Sequence, residues 1–137
     1  MKNFNEIEEI VQLFINLRLP KDAFTHEAHL LIGFWHCYHH TNYEAIYLLR
    51  TRIILFTQSV GAVNTLKSGY HETLTRFWVE IINQFLEERG REQDFTKLVN
   101  EFLESDWSKM DLPLKYYDKD TLFSAVARAT FVKATPA

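Results

Sequence analysis

The chain has 137 residues, of which 47% are hydrophobic and 15% aromatic, and 15 Lys plus Arg against 18 Asp plus Glu give a formal charge of −3. That size and apolar content suit one folded domain, and the acidic balance denies phosphate backbones a broad positive field, so no nucleic-acid partner is expected. A lone cysteine, Cys37, excludes an intrachain disulfide; the opening residues show no secretory pattern and no apolar run reaches membrane-spanning length, so a cytoplasmic domain without membrane contact is the expectation.

Five or six helices are predicted in chain order. Asn5 to Arg18 places Ile7, Ile10, Val11, Phe14 and Leu17 at helical spacing, and Leu19-Pro20 ends the run. Thr25 is a natural cap for a second helix through about His40, whose polar side is narrow and made largely of histidines. Glu44 to Ser59 forms a third, interrupted at Gly61, and Ser59 to Gly69 reads as a loop or short helix-turn element. The fourth helix spans about Tyr70 to Glu88 and stops at Arg89-Gly90. Asp94 to Leu103 makes a shorter fifth, and Ser105 to Asp118 is the least regular tract. Asp118 or Asp120 starts a last helix through about Thr130, followed by a tail from Val132 to Ala137. No repeat, low-complexity block or change of composition divides the chain, so residues 1–137 are read as a single all-α domain, an irregular bundle.

At 100° per residue, His26, His29, Gly33, His36, Cys37 and His40 share one sector of the second helix, while Leu30, Leu31, Ile32, Phe34, Trp35 and Tyr38 occupy the rest. A helix apolar on most sides is surrounded, so the histidine stripe faces into the bundle, where imidazoles need hydrogen-bond or metal partners. His26 and His29 are three residues apart, a spacing at which both rings can reach one ion, and His71 at the start of another helix is the best distant third ligand. Three imidazoles suit a divalent transition metal and leave a coordination position open. Glu72 and Glu27, each next to a histidine, are the candidate general bases acting on metal-bound water. Tyr70, Thr73, Thr75, Trp78, His36 and Arg128 are the candidate ligand-binding residues around the same pocket. Capping and packing are the plainer roles for Thr73, Thr75 and Trp78, and an intramolecular ion pair is the plainer role for Arg128.

Several chemistries are absent. His26-Glu27-Ala28-His29 is one residue short of the zinc-peptidase spacing, and no phosphate loop, dinucleotide fingerprint, paired-cysteine cluster or nucleophile elbow occurs. Repeated Glu-x-x-His, required by di-iron bundles, is missing too. Cys37 sits among helix-forming hydrophobes and reads as a core residue.

The segments Phe24-Thr25-His26-Glu27-Ala28-His29-Leu30, Gly69-Tyr70-His71-Glu72-Thr73-Leu74-Thr75 with Trp78, and Leu122-Phe123-Ser124 with Ala127-Arg128 together resemble a family of small, all-helical, poorly characterised bacterial proteins. The likeness runs from about Phe24 to Val132. It implies that His26, His29, His71, Thr73, Thr75, Ser124 and Arg128 are matched positions and assigns them no activity. The far end departs, since relatives tend to continue with a Pro and an acid after the residues matching Val132-Lys133-Ala134.

The leading expectation is a small metal-binding protein, and in its stronger form a metal-dependent enzyme, with a mononuclear site formed by His26, His29 and His71 and an unknown small-molecule substrate. One alternative is a noncatalytic ligand-binding or regulatory domain using the same pocket. Another is a self-associating structural protein, a homodimer included, with a metal-free histidine cluster.

Overall fold

A computed structural model describes residues 1–134. Among them the secondary structure is entirely helical, with seven α-helices: α1 (Phe4–Ile15), α2 (His26–His39), α3 (Asn42–Ser59), α4 (Glu72–Arg89), α5 (Phe95–Glu104), α6 (Lys119–Leu122) and α7 (Ala125–Ala129). Three 3-10 turns, Lys21–Ala23, Asp106–Ser108 and Leu112–Lys115, fill the connections. The irregular all-α bundle expected from the sequence is the observed fold.

Local chemistry sets most helix starts. Asn3 and Glu6 exchange reciprocal side-chain-to-backbone bonds at the head of α1, and Thr41 and Glu44 do the same for α3. Each pair satisfies two amide donors that the first turn leaves orphaned. Thr25, Asp94 and Asp118 cap α2, α5 and α6 with their side-chain oxygens. Gly90 ends α4 with φ 99° and ψ 114°, a positive-φ backbone that glycine adopts readily.

Helix α2 is the axis of the bundle. Leu30, Leu31, Ile32, Gly33 and Phe34 are consecutive and all buried, which requires neighbours on every side. α1, α3, α4 and α5 supply them. Phe34 packs against Phe85, Phe95 and Phe102, with ring centroids 5.4 to 6.1 Å apart. Truncating so enclosed an aromatic costs about 3–5 kcal/mol, so this cluster is a principal source of stability.

The C-terminal third differs from expectation in two ways. The single helix predicted through Thr130 is split, because Ser124 accepts from the Ala127 amide and begins a new helix there. The expected tail is also partly docked. The Thr73 hydroxyl donates to the Thr130 carbonyl at 2.8 Å and accepts from the Val132 amide at 3.0 Å, while the Tyr117 hydroxyl donates to the Val132 carbonyl at 2.7 Å. Val132 and Ala134 pack against the core. The remainder of that expected tail, residues 135–137, lies outside the described residues. No described helix is long and apolar enough to cross a membrane.

Candidate functional site

The N-terminal halves of α2 and α4 lie side by side, and the side chains they project toward each other decide what the histidines do. His71 is the N-cap of α4 rather than part of its first turn. Its Nδ1 accepts from the Leu74 amide at 3.1 Å, and its Nε2–H donates to the Leu122 carbonyl at 2.7 Å. Both ring nitrogens are therefore committed. Burial holds this imidazole below the ordinary histidine range, with the Arg128 charge adding to the effect against the hydrogen bond to Leu122.

His26 bonds the Ser108 carbonyl through Nε2 at 2.8 Å and meets the edge of Trp78. His29 stacks on Phe24 with ring centroids 3.6 Å apart. His29 is an exposed residue although protein lies close around its ring, because it lines an open-mouthed cavity. Burial, reinforced by nearby His26, lowers its pKa to about 4.

Among the described residues no three His, Cys, Asp or Glu side chains are grouped so that they could hold a metal ion. This overturns the expected divalent metal centre of His26, His29 and His71, and with it the three-histidine metalloenzyme reading. The physical reason is clearest at His71, where one nitrogen caps a helix and the other carries its proton to a backbone carbonyl, leaving no lone pair for a metal. The water-activating roles assigned to Glu72 and Glu27 depended on that metal. Glu72 is held by Arg50, whose Nε and Nη2 donate at 2.8 and 2.5 Å, and by the Tyr70 hydroxyl at 2.8 Å. Burial alone pushes the Glu72 carboxyl up, yet the bonds from Arg50 and Tyr70 outweigh it and hold the group below the usual range. Glu27 is exposed on the first turn of α2.

What α2 and α4 do border is an open-mouthed cavity of about 550 Å³. Leu30 and Gly33 of α2, Leu49 and Ile53 of α3, and Leu74, Trp78, Val79 and Ile82 of α4 make its body. Gly33 allows the two central helices to approach closely, since a Cβ there stands 3.3 Å from Ile82 Cδ1. The remaining wall comes from remote segments, Met110 to Leu114 beside the third 3-10 turn and Phe123 between α6 and α7. Its polar groups are few: His26, His29, His71, Tyr70, Thr75, Asp111 and Arg128.

Of the residues singled out in the sequence, His26, His29, His71, Tyr70, Thr75, Trp78 and Arg128 converge on this cavity. Thr75 also donates its hydroxyl to the His71 carbonyl, the local bond expected of a threonine near a helix start. Thr73 serves the C-terminal segment, and His36 is buried on the Ile32 carbonyl and Arg52. Neither lines the cavity. Arg128 reaches back to the loop before α4, donating from Nη1 to the Gly69 carbonyl at 2.9 Å and the Tyr70 carbonyl at 3.4 Å. Gly69 has φ 83°, and any Cβ there would fall within 2.9 Å of Asn64 and Val63, so this loop closes only with glycine.

A second, more open groove of about 610 Å³ lies across Tyr70 and Arg128, bordered by Arg50, Glu72 and the Asn64 to Leu66 loop. The Arg50–Glu72 pair on its wall is mutually satisfied. Cys37 is buried in the core, and burial raises its pKa to about 12.

Comparisons of the chain with protein-family models, with curated proteins and with solved structures found no match in any of the three.

Proposed function

We propose that this chain is a noncatalytic ligand-binding domain that takes a small molecule with a largely apolar body between α2 and α4. The observation that carries this reading is the cavity of about 550 Å³, walled by aliphatic and aromatic side chains from three helices with a few convergent polar groups. Its lining rather than its size sets it apart, since the other grooves of comparable volume are bordered by a larger share of polar and charged side chains. At roughly 30 Å³ for each water-sized group it accommodates on the order of 15 to 20 non-hydrogen atoms.

The surroundings of the cavity favour binding over turnover. Two groups with reactive chemistry, Cys37 and Glu72, lie outside its lining: Cys37 is buried in the core with its pKa raised to about 12, and the Glu72 carboxylate is engaged by Arg50 and Tyr70. His29 and His71 are held neutral by burial, which suits them to hydrogen bonding.

The test is titration with the uncharged fluorophore N-phenyl-1-naphthylamine, whose emission rises in an apolar site. Saturable binding near one per chain, abolished by Leu74→Trp with the far-ultraviolet circular dichroism unchanged, is the expected result. Absence of saturable binding to the folded parent rejects the reading.

A further inference from the structure

Arg128 is the only lysine or arginine among the described residues lining the cavity. Guanidinium groups remain charged at any pH a protein tolerates, and one brought against apolar walls is stable there when its N–H groups find acceptors. No described carboxylate lies within ion-pair distance of Arg128, in contrast to Arg50, which is paired with Glu72 at 2.5 Å. The difference marks Arg50 as structural and leaves the charge of Arg128 without a counterion among the described residues.

The individual nitrogens sharpen the point. Nη1 is spent on the Gly69 and Tyr70 carbonyls, which fixes the guanidinium against the loop before α4. Nε is buried and has no hydrogen-bond partner among the described residues. Nη2 makes no hydrogen bond among the described residues. Nε and Nη2 form one edge of the planar fork, and that edge presents two parallel N–H groups matched to the two oxygens of a carboxylate. A buried donor left unmet is destabilising, and an acid group supplied from outside relieves that penalty.

The rest of the wall sets the remainder of the ligand. Leu30, Leu49, Ile53, Leu74 and Ile82 offer only apolar contact, so the body that follows the acid group is hydrocarbon. The mouth extends this character, with Met110 71%, Phe123 52% and Leu114 46% exposed at the rim. Asp111 is the one acid in the lining and is itself exposed. It disfavours an anion near the rim and leaves Arg128 as the point of attachment.

We propose that the ligand is an amphipathic monoanion, a carboxylic acid with an apolar chain or ring body, held by the Nε–Nη2 edge of Arg128 with its hydrocarbon along α2 and α4. This inference rests on the ligand-binding reading of the cavity and adds the charge of the ligand and the residue that recognises it.

Displacement of N-phenyl-1-naphthylamine at neutral pH by decanoate and by decanol, which differ in the charged head, tests the two readings separately. Decanoate is expected to displace the probe at a concentration about tenfold or more below that of decanol, the factor that a charge-assisted hydrogen bond confers. In Arg128→Met the advantage of the acid disappears while decanol is unaffected. Should that variant lose the probe altogether, Arg128→Gln, which keeps an N–H for the Gly69 carbonyl, replaces it. Loss of the acid preference in that variant supports the assignment. Equal displacement by acid and alcohol in the parent, or an acid preference that survives removal of the Arg128 charge, overturns the proposal and leaves the cavity reading standing. A parent that binds neither the probe nor either compound overturns both.

Discussion

Nη1 of Arg52 lies 2.8 Å from Nε2 of His36, while Nδ1 of the same buried ring lies 2.7 Å from the Ile32 carbonyl. Both bonds form together only in the neutral tautomer in which Nδ1 carries the proton and donates to Ile32, and Nε2 accepts from Arg52. Protonation would set a second N–H against a guanidinium donor.

His36 consequently makes stability depend on pH. Its burial, together with the nearby Arg52 charge, lowers the pKa to about 4 against the opposing bond to Ile32. The unfolded chain takes up a proton as pH falls through 6.5, whereas the folded chain does so only near 4, so stability falls throughout that window and is restored as pH rises above it. At 1.36 kcal/mol per unit the loss is on the order of 3 kcal/mol, and His29 acts in the same direction. Urea unfolding at pH 7.5 and at pH 4.5 should show this loss, and His36→Gln should flatten the slope by close to one proton. A stability that does not change between those two pH values rejects this account.

The fold was legible where its causes are local. Thr25 caps the helix assigned to it, and Asp118, one of the two starts offered for the last helix, caps its first part, because a side-chain oxygen three residues before a free amide acts within one turn. The buried character of α2 was legible for the same reason, since an uninterrupted apolar circumference admits only one environment. His71 was misread because an imidazole at a helix start can cap, coordinate or pack, and the choice is made by the Leu122 carbonyl, 51 residues away. The cavity wall from Met110 to Leu114 was also beyond local reasoning, because an irregular segment acquires its position only from long-range packing. Ser124 reads as an interior position of the last helix because serine fits there as well as at a cap, and only the packed structure shows it starting a new one.

The cap at His71 carries a definite energetic expectation. His71→Ala removes the acceptor for the Leu74 amide and leaves the Leu122 carbonyl without its donor. A lost cap costs about 1 kcal/mol and an orphaned buried acceptor about 1–3 kcal/mol, so a loss of roughly 2–4 kcal/mol in denaturant unfolding is expected. Because this role needs no metal, treatment of the parent with a chelator should leave its Tm unchanged. A clear drop in Tm that is reversed by adding back one divalent ion would contradict the assignment.

Thr73 joins the C-terminal segment to α4 with one hydroxyl, donating to the Thr130 carbonyl and accepting from the Val132 amide. Thr73→Val preserves shape and loses both bonds. About 1–3 kcal/mol of destabilisation is expected, with faster proteolysis after Arg128 as the local sign. Unchanged proteolysis there would mean that Tyr117, through its bond to the Val132 carbonyl, is enough to hold the segment.

The cavity itself is open to a test by stability alone, independent of any ligand. In a filled core, enlarging a side chain forces neighbours off their rotamers and costs about 1–3 kcal/mol. Leu31, fully buried away from the cavity, should behave in that way when changed to Phe. Leu74 faces a space of about 550 Å³, so Leu74→Phe can place its added carbons there without displacing a neighbour. Its new ring contacts replace contacts that the walls otherwise lack, and the expected change is from zero to about 1 kcal/mol of added stability. Paired urea denaturation of the two variants measures the contrast. Equal destabilisation by both would show that the space between α2 and α4 is closed in solution, and the binding function would lose its physical basis.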